Sequence, residues 1–172
     1  ASPIASPPDP NPHKRTNIFI SAVTKATAKI YSDLTGTFPI QSVLGNKYIL
    51  IIYHYDANAI IAEPLKDRTA GEIAKAHERV YSYLTLRGLK PTFEVLDNEC
   101  SADLIQMMSK HKITYQLVPP HLHRANAAER AIRTWKNHFI AILCRLDPAF
   151  PLQLWDRLLD QTNLTLNLLR VS

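Results

Sequence analysis

Apolar and polar positions along the chain first follow a strand-like pattern. Residues 28–35 predict a strand, and residues 47–55 are almost wholly apolar, which predicts a central strand covered on both faces. Gly45-Asn46 between them is a hairpin turn signal, so these two strands should be antiparallel. Residues 59–63 predict a third strand, which Pro64 confines to a sheet edge because proline cannot donate a ladder hydrogen bond.

The pattern then alternates between helical and strand periods. Residues 69–86 have apolar side chains at helical spacing, with Thr69 as the N-cap and Glu72 placed to complete a capping box. A fourth strand is then predicted at residues 92–96, a short helix at 102–110 and a fifth strand at 113–118. A long helix follows at residues 127–146 and a last helix at 152–169.

This order predicts an α/β fold: a five-stranded mixed sheet, with three antiparallel strands followed by two parallel ones, flanked by helices. If the fourth strand lies beside the first, Asp33 and Asp97 come from neighbouring strands whose backbones are about 5 Å apart.

Composition separates the N-terminus from the rest of the chain. Five prolines lie within the first twelve residues, so residues 1–26 are predicted to be a disordered Pro-rich linker. Residues 27–172 are predicted to form one folded domain, because hydrophobic residues make up 46% of the chain.

Charge, cysteine content and hydrophobicity limit the kinds of partner and compartment that are expected. A net charge of +5 and a pI near 9.3 favour a polyanionic partner. Two cysteines are too few for a disulfide framework, so a reducing, intracellular compartment is expected. No apolar run is long enough to span a bilayer, so no membrane partner is expected.

Three carboxylates are the candidate catalytic residues. Asp33 lies in the first predicted strand, Asp97 follows the fourth, and Glu129 opens the long helix. Two-metal phosphoryl transfer needs such a set, because paired Mg²⁺ ions take hard oxygen ligands and substrate phosphate supplies the rest. If the three converge, the chain cuts or joins nucleic acid.

Each acid also has a simpler explanation. Asp97 could be a turn residue or an N-cap, and Glu129 a helix N-terminal acid favoured by the dipole. Asp56 competes as the first acid, but turn chemistry in Asp56-Ala57-Asn58 explains it. Asp33 has no such explanation, because an acid in an apolar strand must be paired or bound to metal.

The long helix carries an apolar stripe and a basic stripe. Ala128, Ile132, Trp135, Phe139 and Ile142 predict its core-facing side. Glu129, Arg133, Lys136 and Asn137 form the neighbouring stripe, which could hold DNA phosphates or be a solvated face with a Glu129–Arg133 pair.

The loop before the long helix is also basic. His121 and His123 could suggest a metal, but no further Cys or His completes a zinc set nearby. A loop that clamps DNA with these residues and Arg124 is the preferred interpretation.

Several stretches together resemble the catalytic core of retroviral and retrotransposon integrases over about residues 27–170. They are Asp33-Leu34-Thr35-Gly36-Thr37-Phe38-Pro39, Gly45-Asn46-Lys47-Tyr48-Ile49-Leu50, Asp97-Asn98-Glu99, Leu117-Val118-Pro119-Pro120-His121 and Asn126-Ala127-Ala128-Glu129-Arg130. The resemblance implies a ribonuclease-H-like fold with a DDE triad. The chain departs from retroviral members in three ways. The Asp97–Glu129 interval is shorter, Glu99 stands where glycine is usual, and Ala125 stands where a polar residue often lies four positions before the helical Glu.

The resemblance implies a polynucleotidyl transferase that trims the 3′ ends of its element's DNA and joins them to target DNA. Asp33, Asp97 and Glu129 would be both the catalytic residues and the ligands of two Mg²⁺ or Mn²⁺ ions, with Asp33 bridging them. The DNA-binding residues would be His121, His123, Arg124, Asn126, Arg130, Arg133 and Lys136.

The implied partners are double-stranded DNA, both element ends and target, and further copies of the chain. A homodimer or higher oligomer is expected, with the late helices around Trp135 and Trp155 as the interface. The implied location is the nucleus or a virus-like particle. Two rival hypotheses remain: a catalytically inactive or domesticated domain that binds DNA or a partner, and a plain nuclease of the same fold acting on RNA–DNA hybrid.

Overall fold

A computed structural model describes residues 27–96, 100–117 and 127–170 of the chain. The predicted linker at residues 1–26 lies outside these ranges. The helices and strands of the described residues are, in chain order, β1 (Lys29–Leu34), β2 (Tyr48–His54), β3 (Ala59–Leu65), α1 (Ala70–Leu86), β4 (Phe93–Leu96), α2 (Ala102–Lys110), β5 (Thr114–Leu117), α3 (Ala127–Cys144), a 3₁₀ helix (Leu152–Leu158) and α4 (Leu159–Leu168).

The strands form one mixed sheet in the order β3-β2-β1-β4-β5. β2 pairs antiparallel with both β1 and β3, whereas β4 runs parallel to β1 and to β5. The predicted fold class is therefore confirmed, and the fourth strand lies beside the first, which the sequence pattern alone left as a condition.

Two apolar layers cover the two faces of the sheet. Ile30, Leu50 and Ile52 pack with α1 and α2 on one face. Ile49, Ile51 and Tyr53 pack with α3, the 3₁₀ helix and α4 on the other. β2 thus contributes alternate residues to both layers, as its continuous apolar run predicts.

Trp135 and Trp155 belong to the second layer, where they are 1% and 0% exposed. Phe38 stacks on Trp155 with ring centroids 4.3 Å apart, and the Trp155 indole donates to the Ile40 carbonyl at 2.8 Å. Both rings are buried within their own chain, so the expected interface between copies would have to use other side chains of these late helices, and it stays a prediction.

The helix α4 closes the free edge of β3 with side-chain amides. Asn167 accepts from the Ile60 amide at 2.8 Å and donates to the Ile60 carbonyl at 2.7 Å. Asn163 does the same for Ala62, at 3.1 Å for both bonds. The two asparagines are four residues apart on a helix, about 6 Å, which matches a two-residue step along a strand.

The start of α1 differs in one detail from its prediction. The Thr69 hydroxyl accepts from the Glu72 amide at 3.4 Å, which confirms Thr69 as the N-cap. The Thr69 amide, however, donates to Asp67 at 2.9 Å. Asp67 therefore accepts the bond that the predicted capping box assigned to Glu72, so that part of the prediction is wrong.

In the part of the chain that the structure describes, no helix combines the length and apolar character needed to cross a membrane.

Candidate active site

The strand β1 carries Asp33 on the face of the sheet that α3 covers. Tyr31, two residues earlier and on the same side of the strand, packs against the α3 layer. The Asp33 carboxylate accepts from the Lys136 ammonium of α3, with Oδ2 and Nζ 2.8 Å apart. The expectation that this acid is paired is confirmed. Its side chain is nevertheless 44% exposed, so it is not the buried charge that the apolar strand suggested.

The neighbouring strand β4 leads directly to the second candidate acid. Val95 is the register partner of Tyr31 in the parallel β1–β4 pair. The strand ends at Leu96, one residue before Asp97. Asp97 itself, with Asn98 and Glu99, lies outside the described residues.

The third candidate, Glu129, lies in the first turn of α3 and is 51% exposed. Arg133 donates to its carboxylate at 3.1 Å, which is the i, i+4 ion pair considered as the simpler explanation. Lys136 lies seven residues after Glu129, close to two full turns, so both side chains leave the helix on nearly the same side. The helix that carries Glu129 is thereby tied to the strand that carries Asp33.

The opposite side of α3 anchors the helix in the core. Ala131, Ile132, Trp135 and Phe139 are buried, and Trp135 stacks on Phe139 with centroids 5.1 Å apart. The Trp135 indole donates to Asn163 at 3.0 Å, on the same amide oxygen that accepts from the β3 edge. The apolar stripe is confirmed at Ile132, Trp135 and Phe139; Ile142 is only partly buried.

The candidate DNA-binding residues divide into two groups. Arg130 and Arg133 are exposed, and Lys136 is half-buried in its contact with Asp33. The others, in the loop before α3, lie outside the described residues; they are His121, His123, Arg124 and Asn126.

Asp56, the competing first acid, has a structural role instead, and neither His54 nor Cys100 is in a setting that favours catalysis. Asp56 accepts from the backbone amides of Ala28 and Lys29, so it secures the start of β1. His54 is buried, its Nδ1 accepts from the Ala57 amide at 3.2 Å, and burial holds its pKa below the usual value. Burial, and then the charge of Glu94, raise the pKa of the Cys100 thiol. A thiol with a raised pKa is a poor nucleophile.

Within the described ranges, no group of three or more His, Cys, Asp or Glu side chains is arranged to hold a metal ion. Two of the three candidate ligands are within these ranges, and both are accessible carboxylates that hold a cation from α3. Hard oxygen donors that are reachable from solvent and already hold a cation fit a Mg²⁺ or Mn²⁺ ion.

The sequence did not reveal the direct contact between Lys136 and Asp33. Their separation of 103 residues means that only the packing of α3 on β1 defines it. The one sequence signal is the i, i+7 spacing of Lys136 from Glu129, which puts a cation on the side of the helix that carries the acid.

No protein-family model matches the chain, and no curated protein sequence matches it either. Solved structures do match. The catalytic core domain of BIV integrase has a TM-score of 0.64 and 16% identity, covering 86% of this chain and 88% of that one. The HTLV-2 integrase catalytic core domain in complex with magnesium, in a dimeric form, has a TM-score of 0.64 and 20% identity, covering 86% and 90%.

A chain of the simian T-cell lymphotropic virus intasome, in complex with a PP2A regulatory subunit, gives a TM-score of 0.68 at 16% identity. The match covers 86% of this chain but spans only half of the length of that one. Each of these matches covers 86% of this chain, and they agree with the observed strand order. The chain therefore has the ribonuclease-H-like fold of the retroviral integrase catalytic cores.

Proposed function

We propose that this chain is the catalytic core of a retrotransposon-type integrase, and that residues 27–172 form this domain. It would process the 3′ ends of its element's DNA and transfer them to target DNA. One observation carries the proposal: the Lys136–Asp33 contact lies where α3, the helix of Glu129, packs against β1, beside the parallel strand that ends one residue before Asp97.

The proposed reaction consists of two in-line displacements at phosphorus. In the first, a water oxygen bonds to phosphorus and the bond to the 3′ oxygen breaks, and this oxygen leaves with a proton as a free 3′ hydroxyl. In the second, that hydroxyl loses its proton, bonds to a target phosphorus and displaces the target's 3′ oxygen. Neither step changes an oxidation state, so no redox cofactor is required.

Asp33, Asp97 and Glu129 would hold two Mg²⁺ or Mn²⁺ ions, with Asp33 shared between them. When bound, such ions activate the attacking oxygen and neutralise charge on the leaving one. The residues present fit that group, because Asp33 and Glu129 are accessible carboxylates on one face of the sheet. The HTLV-2 core with the same fold was obtained with magnesium, which supports this choice of metal.

The proposed partner is double-stranded DNA, bound through phosphates by Arg130, Arg133 and Lys136 of α3. The loop residues His121, His123, Arg124 and Asn126 would extend this surface. A net charge of +5 supports a polyanionic partner. Assembly into a dimer or higher oligomer and a nuclear or virus-like-particle location also belong to the proposal; the similar HTLV-2 core was found in a dimeric form.

Strand transfer on short DNA duplexes in the presence of Mn²⁺ or Mg²⁺ tests this proposal. We expect joined products with the wild-type chain and none with Asp33→Asn, which keeps the shape of the side chain but not its charge. Asp56→Asn is the matched control, because its amide oxygen can still accept from Ala28 and Lys29. Metal-dependent DNA binding without any cleavage would support the binding-domain alternative. Cleavage of RNA–DNA hybrid without strand transfer would support the nuclease alternative.

A further inference from the structure

Two ion pairs hold the described acids of the proposed site. Lys136 Nζ lies 2.8 Å from Asp33 Oδ2, and Arg133 Nη2 lies 3.1 Å from Glu129 Oε1. Both cations come from α3, but the pairs differ in kind. The Glu129–Arg133 pair lies within one helix, whereas the Asp33–Lys136 pair joins a strand to a helix.

The position of Lys136 on α3 explains why this cation reaches Asp33. Successive helix residues are rotated by about 100°, so Lys136 leaves the helix beside the buried stripe of Ile132, Trp135 and Phe139. Arg130 leaves from the solvent side. The partly buried ammonium of Lys136, 38% exposed, is therefore directed toward the sheet rather than into solvent.

An ammonium and a divalent cation compete for the carboxylate of Asp33. A cation at a proposed metal ligand repels an incoming metal ion and occupies one of the oxygens that the ion needs. The lysine stem has four carbons and is flexible, so the ammonium can withdraw by several ångström without movement of the helix. Once withdrawn, it lies beside the metal site, where substrate phosphates would be.

Resting on the proposed function, we infer that Lys136 is an exchangeable counter-ion of Asp33. In the metal-free protein it neutralises the carboxylate. Metal binding displaces it, and the released ammonium becomes available to a DNA phosphate. Because binding free energies are reciprocal, metal ions and DNA should then strengthen each other's binding through this side chain.

Calorimetric titration of Mn²⁺ alone into the full chain tests the first half of this inference. Lys136→Gln removes the competing charge, so it should bind Mn²⁺ more tightly than wild type. A partly exposed ion pair of this kind corresponds to about a 1.4- to 5-fold change in dissociation constant. Lys136→Arg retains a cation and should bind like wild type.

Lys110→Gln is the control for loss of one positive charge. Lys110 also forms an exposed ion pair, 2.7 Å from Glu78, but on α2, which packs on the opposite face of the sheet. The Mn²⁺ affinity of the Lys110→Gln variant should equal that of wild type. A thermal melt of each variant verifies that it is folded.

The outcomes separate this inference from the proposed function. If Asp33→Asn abolishes Mn²⁺ binding but Lys136→Gln binds no more tightly than wild type, the counter-ion role is overturned and the metal site stands. If wild type binds no Mn²⁺, or if Asp33→Asn binds it normally, the metal site itself is overturned, and the inference with it.

DNA binding with and without Ca²⁺ tests the second half. Ca²⁺ should increase the affinity of wild type for a short duplex more than that of Lys136→Gln. An equal increase in both proteins would show that the released ammonium does not reach the phosphates.

Discussion

His77 of α1 and Glu94 of β4 form a buried ion pair, with Nε2 and Oε1 3.1 Å apart and both side chains almost inaccessible. The pair lies under α1, on the face of the sheet opposite to α3. The other ring nitrogen of His77, Nδ1, lies 2.9 Å from the Ile73 carbonyl oxygen and can only donate to it. Nε2 must therefore also carry a proton if His77 is to be the cationic partner of the Glu94 carboxylate.

This pair predicts a pH-dependent stability. Burial, the largest single effect, lowers the pKa of His77, but the Glu94 carboxylate and the Ile73 carbonyl together outweigh it, so the pKa of His77 in the folded protein lies above the usual value. A raised folded-state pKa adds stability below the unfolded pKa of about 6.5, and this contribution disappears as pH rises through the folded-state pKa. Glu94→Gln should therefore cost more unfolding free energy at pH 6 than at pH 9.

Urea unfolding of wild type and Glu94→Gln at both pH values measures that difference. Removal of one partner of a buried pair costs about 3–5 kcal/mol, which sets the upper range expected at pH 6. The other ionisable groups are common to both proteins and cancel in the comparison. A difference that is the same at pH 6 and pH 9 would contradict a charged His77.

The asparagines of α4 should contribute measurably to stability. Asn167→Ala leaves the Ile60 amide and carbonyl without their partners, and a buried polar group without a partner costs about 1–3 kcal/mol. Asn163→Ala should cost more, because the Trp135 indole also loses its acceptor. Urea denaturation measures both, with exposed Asn137→Ala of α3 as the control.

The same asparagines protect the sheet edge. An unpaired edge strand is a template for pairing with another chain, so the double variant Asn163→Leu, Asn167→Leu should self-associate. Light scattering at increasing protein concentration detects this. A double variant that stays as monodisperse as wild type would mean that the body of α4, rather than its amides, blocks the edge.

Exposed arginines on α3 should influence DNA affinity through phosphates rather than bases. Arg130→Gln should weaken binding to any duplex sequence and reduce the slope of log affinity against log salt by about 1. Arg87→Gln, whose guanidinium lies 3.5 Å from the ring centre of Tyr83 on α1, is the control and should leave the slope unchanged. Equal slopes for wild type and Arg130→Gln would exclude a phosphate contact.

Replacement of a late-helix tryptophan should change stability and not assembly. Trp135→Ala empties a fully buried site, so we expect a loss of about 3–5 kcal/mol. Sedimentation at low temperature, where the variant is folded, should show that Trp135→Ala has the same oligomeric state as wild type. A shift in oligomeric state without loss of stability would restore Trp135 as an interface residue.

Local pattern predicted most of the fold. The period of the apolar residues, the hairpin turn at Gly45 and the edge-strand proline Pro64 were sufficient for the antiparallel order of the first three strands and for α2, whose bounds agree with the prediction. In α1, the helical spacing that puts Ile73 and Val80 on the apolar stripe also predicts Tyr83 in the core, but Tyr83 is exposed and Tyr81 is buried instead. Two tyrosines two residues apart lie on different sides of a helix, and only the packing of α1 on the sheet decides between them.

Long-range polar contacts could not be predicted in the same way. The last helix was predicted as continuous, but it begins as a 3₁₀ segment with a non-helical backbone at Leu154, beside the buried Trp155. The contacts of Asn163 with β3 and of Lys136 with Asp33 join residues about a hundred positions apart. Each depends on which helix packs on which strand, and the period of a single segment contains no information about that.

The location of bound metal tests the central claim most directly. Crystals of the chain grown or soaked with Mn²⁺ would show each ion by its anomalous scattering. The account predicts Mn²⁺ bound by the carboxylates of Asp33, Asp97 and Glu129, with Lys136 no longer on Asp33. Fully occupied Mn²⁺ at other acids, with Asp33 still bound to Lys136, would contradict it.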